Sequence, residues 1–330
     1  MEPAICCNFS CNSLSPVIHL RIVAPEDVAH RAIEILEASP AVLNIVHLHG
    51  VAMKPEGDVI LCDIAREEAS VILGDLKELG IPRVGSIAVE HIETALSDAA
   101  DAAEKAAPGL PSDAVVWEEV EQRTSENTEL SIGFVLFMIL AMQIGAVGIL
   151  LDQPILIVGA MVVGPEFGPL AGLSVALVAR RPDFARRSLA ALGVGFPAGI
   201  VGAWLVTLFY KWTGAAADDF STAAHNLTGF ISNPDFFSFT VAFAAGIVGM
   251  LSLTNAKSGA LIGVLISVTT IPAASNIGVA AAYGDWGDAG GAAAQLAINL
   301  ATIVLAGVLT LFVQRRAYEA RRRRHLRELG

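Results

Sequence analysis

The chain has 330 residues, of which 54% are hydrophobic and 16% charged, with a mean hydropathy of +0.60. A soluble domain carries about 25% charged residues, and the deficit here is uneven: residues 1–129 hold 8 Lys/Arg against 23 Asp/Glu, residues 130–330 hold 13 against 10. This excludes a single soluble domain and predicts an acidic soluble part followed by a membrane part; it also excludes nucleic acid as a partner, because the one dense basic cluster, the arginines at 321–324, only follows an apolar segment.

Residues 1–16 read as a disordered extension. Cysteine is limited to Cys6, Cys7, Cys11 and Cys62, so no disulfide framework is expected. No His or Cys follows the first three at zinc-finger spacing, which leaves a reduced tail. Neither a basic n-region nor an apolar run of export length opens the chain, and no cleaved signal peptide is expected.

Residues 17–24 alternate and are β-branched, and Pro25-Glu26-Asp27 then opens a helical pattern with Val28, Ala32, Ile35 and Leu36 on one face. Two strand-like runs, 42–51 and 58–65, flank the turn chemistry of Lys54-Pro55-Glu56-Gly57. A second helix is expected over 66–79, ending at Gly80, and a last strand over 86–92. The order β-α-β-β-α-β predicts an α+β ferredoxin-like domain over residues 17–95, with two helices on one face of an antiparallel sheet. His47 and His49, two apart on one strand, share a face, and His19 and His91 lie on the first and last strands. On the open sheet face these four either converge on a metal or anion or are ordinary polar residues. An open face of this kind also predicts a homo-oligomer.

Residues 96–129 read as a linker and an amphipathic helix, capped by Ser112-Asp113 and running through Trp117 to Arg123, lying against the membrane surface or the soluble domain. Six apolar stretches follow, at 130–151, 154–178, 188–210, 236–253, 258–282 and 291–313, each near the ~20 residues that cross a bilayer. Arg180, Arg181, Arg186, Arg187, Lys257 and the arginines from 315 onward fall in one set of connections. Asp152, Asp218, Asp219, Asp235, Asp285 and Asp288 fall in the other, with a lone Lys211. The positive-inside rule makes the basic side cytoplasmic, which places both termini, the soluble domain and the basic tail 315–330 in the cytoplasm of a bacterial inner-membrane protein.

The second stretch contains Gly164-Pro165-Glu166-Phe167-Gly168-Pro169, and Gly164, Gly168 and Gly172 recur at four-residue spacing, as in closely approaching helices. Two prolines four apart remove backbone donors and predict a break at mid-membrane depth. Glu166 lies inside it with no Lys or Arg in any predicted span, and the half-helix after it aims a positive dipole end at the carboxyl group. Gly145-Ala-Val-Gly148 and Gly159-Ala160 recur as Gly246-Ile-Val-Gly249 and Gly259-Ala260, with a second break expected over 269–276. The fold class is therefore a six-span α-helical membrane protein built as an inverted 3+3 repeat, with the ferredoxin-like domain in front.

The run Pro-Ile-Leu-Ile-Val-Gly-Ala-Met-Val-Val-Gly-Pro-Glu-Phe-Gly-Pro at 154–169, with Ser-Val-Thr-Thr-Ile-Pro-Ala-Ala at 267–274, resembles the bacterial hydrophobic membrane proteins grouped as domain of unknown function 389. The resemblance spans about residues 17–314, including Trp117-Glu118-Glu119. It implies a membrane protein and carries no activity with it. Many relatives have Ser-Pro-Leu-Met-Gly-Pro at 164–169, so Glu166 departs from their pattern.

The expected function is a carrier or channel for a small solute or ion, in contact with the lipid bilayer. Its midplane site is expected to comprise Gly164, Pro165, Glu166, Gly168, Pro169, Thr269, Thr270, Pro272 and Asn276. The alternative is a membrane-anchored sensor or scaffold whose soluble domain binds a ligand or partner. No His-Glu-x-x-His, no Gly-x-Ser-x-Gly with a His partner and no Walker loop is present, and His225 has no nucleophile beside it, so neither an enzyme nor a cofactor is expected.

Overall fold

Side-chain alternation builds the first strand: Ile18, Leu20 and Ile22 are fully buried while Arg21 between them is exposed. The computed structural model describes residues 15–95, 103, 117–126, 128–217, 236–254 and 270–328. The chain divides into two units, Met1–Glu118 and Glu119–Gly330. The residues predicted as the N-terminal extension to 14, most of the linker, Asp218, Asp219, His225, Asp235, Lys257, Gly259, Ala260 and Thr269 lie outside the described residues.

In the first unit, β1 (Ser15–Ala24) leads through Pro25 into α1 (Glu26–Ala38), whose acidic first turn suits the positive end of the helix dipole. The hairpin β2 (Val42–Met53) and β3 (Glu56–Ala65) follows, then α2 (Arg66–Glu78), the single turn α3 (Ile81–Val84) and β4 (Ser86–Ala95). The strand order is β2-β3-β1-β4, with every pairing antiparallel. Ala32 and Leu36 of α1, Ile72 and Leu76 of α2, and Ile18, Leu20, Ile60 and Cys62 of the sheet form one core. Both long helices thus cover the same sheet face, in the split β-α-β arrangement.

The second unit begins within α4 (Trp117–Glu126). Among the described residues, four helices are long and apolar enough to cross a membrane: α5 (Ile132–Leu150), α8 (Pro182–Thr213), α9 (Phe236–Thr254) and the Trp286–Ala320 part of α11 (Trp286–Glu328). The pair α6 (Pro154–Val163) and α7 (Phe167–Ala179) makes a fifth if counted as one bent span. The predicted stretch 258–282 is described only from Thr270, as the 14-residue α10 (Thr270–Tyr283).

Two helices run past their apolar stretches. The basic segment from 315 continues α11 as helix to Glu328, because Arg and Glu are good helix formers and Arg315 pairs with Glu319 one turn on at 3.3 Å. Similarly, α8 starts at Pro182, ahead of the apolar stretch from 188, with Pro in the first turn where its missing N–H costs no hydrogen bond.

Large apolar side chains stay exposed along these helices, among them Leu136, Phe137, Leu205 and Leu305, as a lipid-facing surface requires. By contrast α10 is buried from Thr270 through Ala274, and it packs against α5, α6, α8 and α11. A Cβ on its Gly278 would stand 2.7 Å from the Ile200 carbonyl oxygen of α8, so only glycine permits this approach. The Lys211 ammonium donates to the Ala282 carbonyl at 3.1 Å and lies over the Tyr283 ring, which brings the C-terminal ends of α8 and α10 together. Arg315 donates to the Val178 carbonyl at 2.5 Å, so the C-terminal end of α7, with Arg180 and Arg181 after it, meets the basic part of α11.

Burial pushes the Cys62 thiol up to about 12, and the neighbouring Asp63 charge adds to this. A thiol held neutral in a core does not react. Site-resolved mass spectrometry after maleimide treatment of the native full-length protein at neutral pH should find Cys62 unmodified, and modified once the protein is unfolded. Rapid labelling of Cys62 in the native state would contradict the core described above.

Candidate functional site

Pro165 has no N–H to offer the carbonyl four residues back, at Met161, and the helix stops there. The last bond of α6 runs from the Gly164 amide to the Ala160 carbonyl at 3.1 Å; α7 then restarts at Phe167, bent by 51°. Ten residues of α6 at 1.5 Å each place the break ~15 Å from the start of the helix, about half a hydrocarbon core. Pro169 sits in the first turn of α7, where an N–H would have no intrahelical acceptor, at the start of the second half-helix.

Glu166 occupies the N-cap position of α7 and is 3% exposed. Its Oε1 accepts a 2.8 Å hydrogen bond from Thr270 Oγ1 across 104 residues of sequence. Its Oε2 is buried without a hydrogen-bond partner among the described residues. A Cβ on Gly164 would lie 2.3 Å from that Oε2 and 2.7 Å from Cγ1 of Ile271. The backbone of the break, the carboxylate and the α10 side chains are therefore packed as one group. Leaving a buried acceptor unpaired costs about 1–3 kcal/mol, and carboxyl groups at this depth serve pathways, proton relays or bound ions.

The other predicted site residues are less concentrated. Pro272 is buried in the first turn of α10, its third described residue, as Pro169 is the third residue of α7; the residues before Thr270 lie outside the described residues. Asn276 is six residues, or ~9 Å of helix, from Thr270. Its amide donates to Asp288 Oδ2 at 3.0 Å. The glycine stripe is divided by the break: Gly164 faces Ile271, while Gly172 faces Thr128 and Ser188. Sequence reasoning overlooked Asp288 as a partner of Asn276. It also overlooked Gln295, Asn299 and Thr302, which are buried on α11, with Gln295 Nε2 donating to Asn299 Oδ1 at 3.2 Å. Their spacing of four and three residues within an apolar stretch was the available signal.

In the first unit the predicted histidine group divides over two faces. His19 stands opposite Asp63, and Leu20 opposite Cys62, so His19 and Asp63 point away from the core. His19 Nδ1 bonds Asp63 Oδ1 at 2.7 Å, and Asn44 donates to Oδ2 at 2.7 Å. His47 stands opposite Ile60, on the helix-covered side with Asp58. There His47 Nε2 lies 2.8 Å and His49 Nδ1 3.2 Å from the Asp58 carboxylate, which also accepts from the Gly50 amide at 2.8 Å. The Gly50 bond, with the two imidazoles adding to it against the effect of burial, holds the Asp58 carboxyl below the usual carboxylate range. His30 of α1, not among the predicted residues, brings its ring to 6.0 Å from both imidazoles. The side chain of His91 lies outside the described residues.

Residues 161–305 match the family described as Domain of unknown function (DUF389). An uncharacterized protein of Methanocaldococcus jannaschii is 24% identical over 203 residues, 59% of this chain. The chain spans 58% of the length of that curated relative. No solved structure matches.

Replacing Gly164 by Ala should lower thermal stability in detergent, by about 1–3 kcal/mol for a forced methyl. Gly159→Ala, where nothing lies within 4 Å, should be neutral or slightly stabilising. Equal effects of the two substitutions would show that the break is not packed as described.

Proposed function

We propose that this chain, which carries the domain of unknown function 389 over residues 161–305, moves a small cation or a proton through a site at the helix break. The observation that carries the reading is Glu166: a buried carboxylate at mid-helix depth, bonded to Thr270 through one oxygen and unpartnered at the other among the described residues. Each half of the predicted inverted repeat supplies one partner to that bond. Carboxylate and hydroxyl oxygens suit a hard cation or a proton. A bend of 51° supports a broken span over a re-entrant loop, because a re-entrant segment must reverse its direction.

The reading keeps six spans and a cytoplasmic basic side, supported by Arg315 meeting the end of α7 while Lys211 meets the end of α10. The exposed Trp212 and Trp286, at the C-terminal end of α8 and the start of α11, suit the opposite interface. It also keeps the N-terminal domain as a regulatory and oligomerising element, for which the half-exposed Val46 and Leu48 on the open sheet face suit a second copy of the chain. No catalysis enters it. The sensor alternative draws on the His47–His49–Asp58 cluster.

Reconstituted in proteoliposomes and assayed for proton and alkali-cation flux, Glu166→Gln should abolish flux or shift its pH dependence while inserting normally. Flux equal to the parent in every assay in which the parent is active would make Glu166 structural and favour the sensor. In intact cells, Asp285→Cys should label with a membrane-impermeant reagent and Arg186→Cys should not. The reverse pattern would overturn the topology.

A further inference from the structure

We propose that His47, His49 and Asp58 bind one divalent transition-metal ion of the zinc class, a site separate from the Glu166 reading and independent of whether that reading holds. The three offer ligand atoms that all lie within 4.8 Å of one another. His47 Nε2 stands 2.8 Å and His49 Nδ1 3.2 Å from Asp58 Oδ2. Tetrahedral zinc with bonds of about 2.0–2.1 Å holds its ligand atoms about 3.3 Å apart, so a small outward shift of these side chains admits the ion.

The fold builds this convergence. Residues 47 and 49 share a strand face, and the β2–β3 register slips between Leu48 and Ala52, so β2 bulges where it passes Asp58. Gly50 takes a φ of +59°, a conformation open to glycine, and its amide reaches Asp58 Oδ1 at 2.8 Å. That bond fixes the carboxylate, whose side chain is 3% exposed, while the His47 and His49 side chains are 23% and 60% exposed. A buried, oriented carboxylate beneath two solvent-accessible imidazoles leaves the ion a route in. Two nitrogens and one oxygen select zinc, cobalt, nickel or copper over magnesium or calcium, which prefer all-oxygen sites. Glu26 and His30 form an adjoining group with His49, so a further donor stands ready on α1 for a fourth position. Occupancy would tie the first turns of α1 to the β2–β3 hairpin.

The test uses full-length protein in detergent, purified without a histidine tag, with Cys6, Cys7 and Cys11 replaced by Ser because thiolates bind the same metals. Titration with Co2+ should give the visible absorption of a tetrahedral site at one equivalent per chain, bleached by Zn2+. His47→Gln and His49→Gln should each weaken Co2+ and Zn2+ binding at least about tenfold, on the scale of losses seen even for outer-shell changes. Asp58 is left intact because it also holds the Gly50 amide. His49 is exposed enough to be replaced without disturbing the core, so its variant remains decisive if His47→Gln misfolds. Three results would overturn the site: no binding by the parent, unchanged affinity in His49→Gln, or unchanged affinity in a folded His47→Gln while Glu26→Gln/His30→Gln loses binding. None of these measures flux, so failure here leaves the Glu166 reading standing, and the reverse also holds.

Discussion

A backbone amide or carbonyl facing hydrocarbon has no water to bond, so a helix interrupted there must be buried in protein or line a water-filled cavity. Pro165 imposes that condition. It ends α6 midway along an apolar segment, and Glu166, forced into the gap, is joined to the rest of the unit by the 2.8 Å bond from Thr270. Glu166 is the N-cap residue of α7, and its side chain makes no capping hydrogen bond there. Its Oε2 is buried without a hydrogen-bond partner among the described residues.

Bringing α10 to the break requires neighbours with little side chain. Gly145 of α5 admits Ser275, since a Cβ there would lie 2.3 Å from Ser275 Oγ; Gly278 of α10 itself admits the α8 backbone. The high Gly and Ala content of the membrane part therefore has a local purpose: it lets a buried helix be enclosed by four others at close range. The stretch is short of large side chains because its surroundings are protein and not lipid.

The β-α-β-β-α-β order was legible because each element carries its own period and its own stop signal, such as Gly80 after α2. The break at Pro165 was legible because proline removes the amide that would bond the carbonyl four residues back, and a second proline follows four residues on. Where local rules failed, tertiary context decided. Asn276 was grouped with Glu166 as a polar group expected at the same depth; six residues of helix separate it from Thr270, and its amide donates to Asp288. His19 and His47 looked equivalent as strand histidines, and only the pairing register puts them on opposite faces. His30 gave no signal at all, since what recruits it is the packing of α1 over β2.

The central claim is that Glu166 and Thr270 act as a bonded pair across the break, and a double-mutant cycle on unfolding free energy in detergent tests it most directly. Thr270→Val and Glu166→Met each strand one partner, whereas the double variant replaces both with apolar groups of similar shape. The pair predicts two destabilising single substitutions and a double variant that recovers about 1 kcal/mol or more relative to their sum. Additivity within about 0.3–0.5 kcal/mol, the behaviour of independent sites, would contradict it.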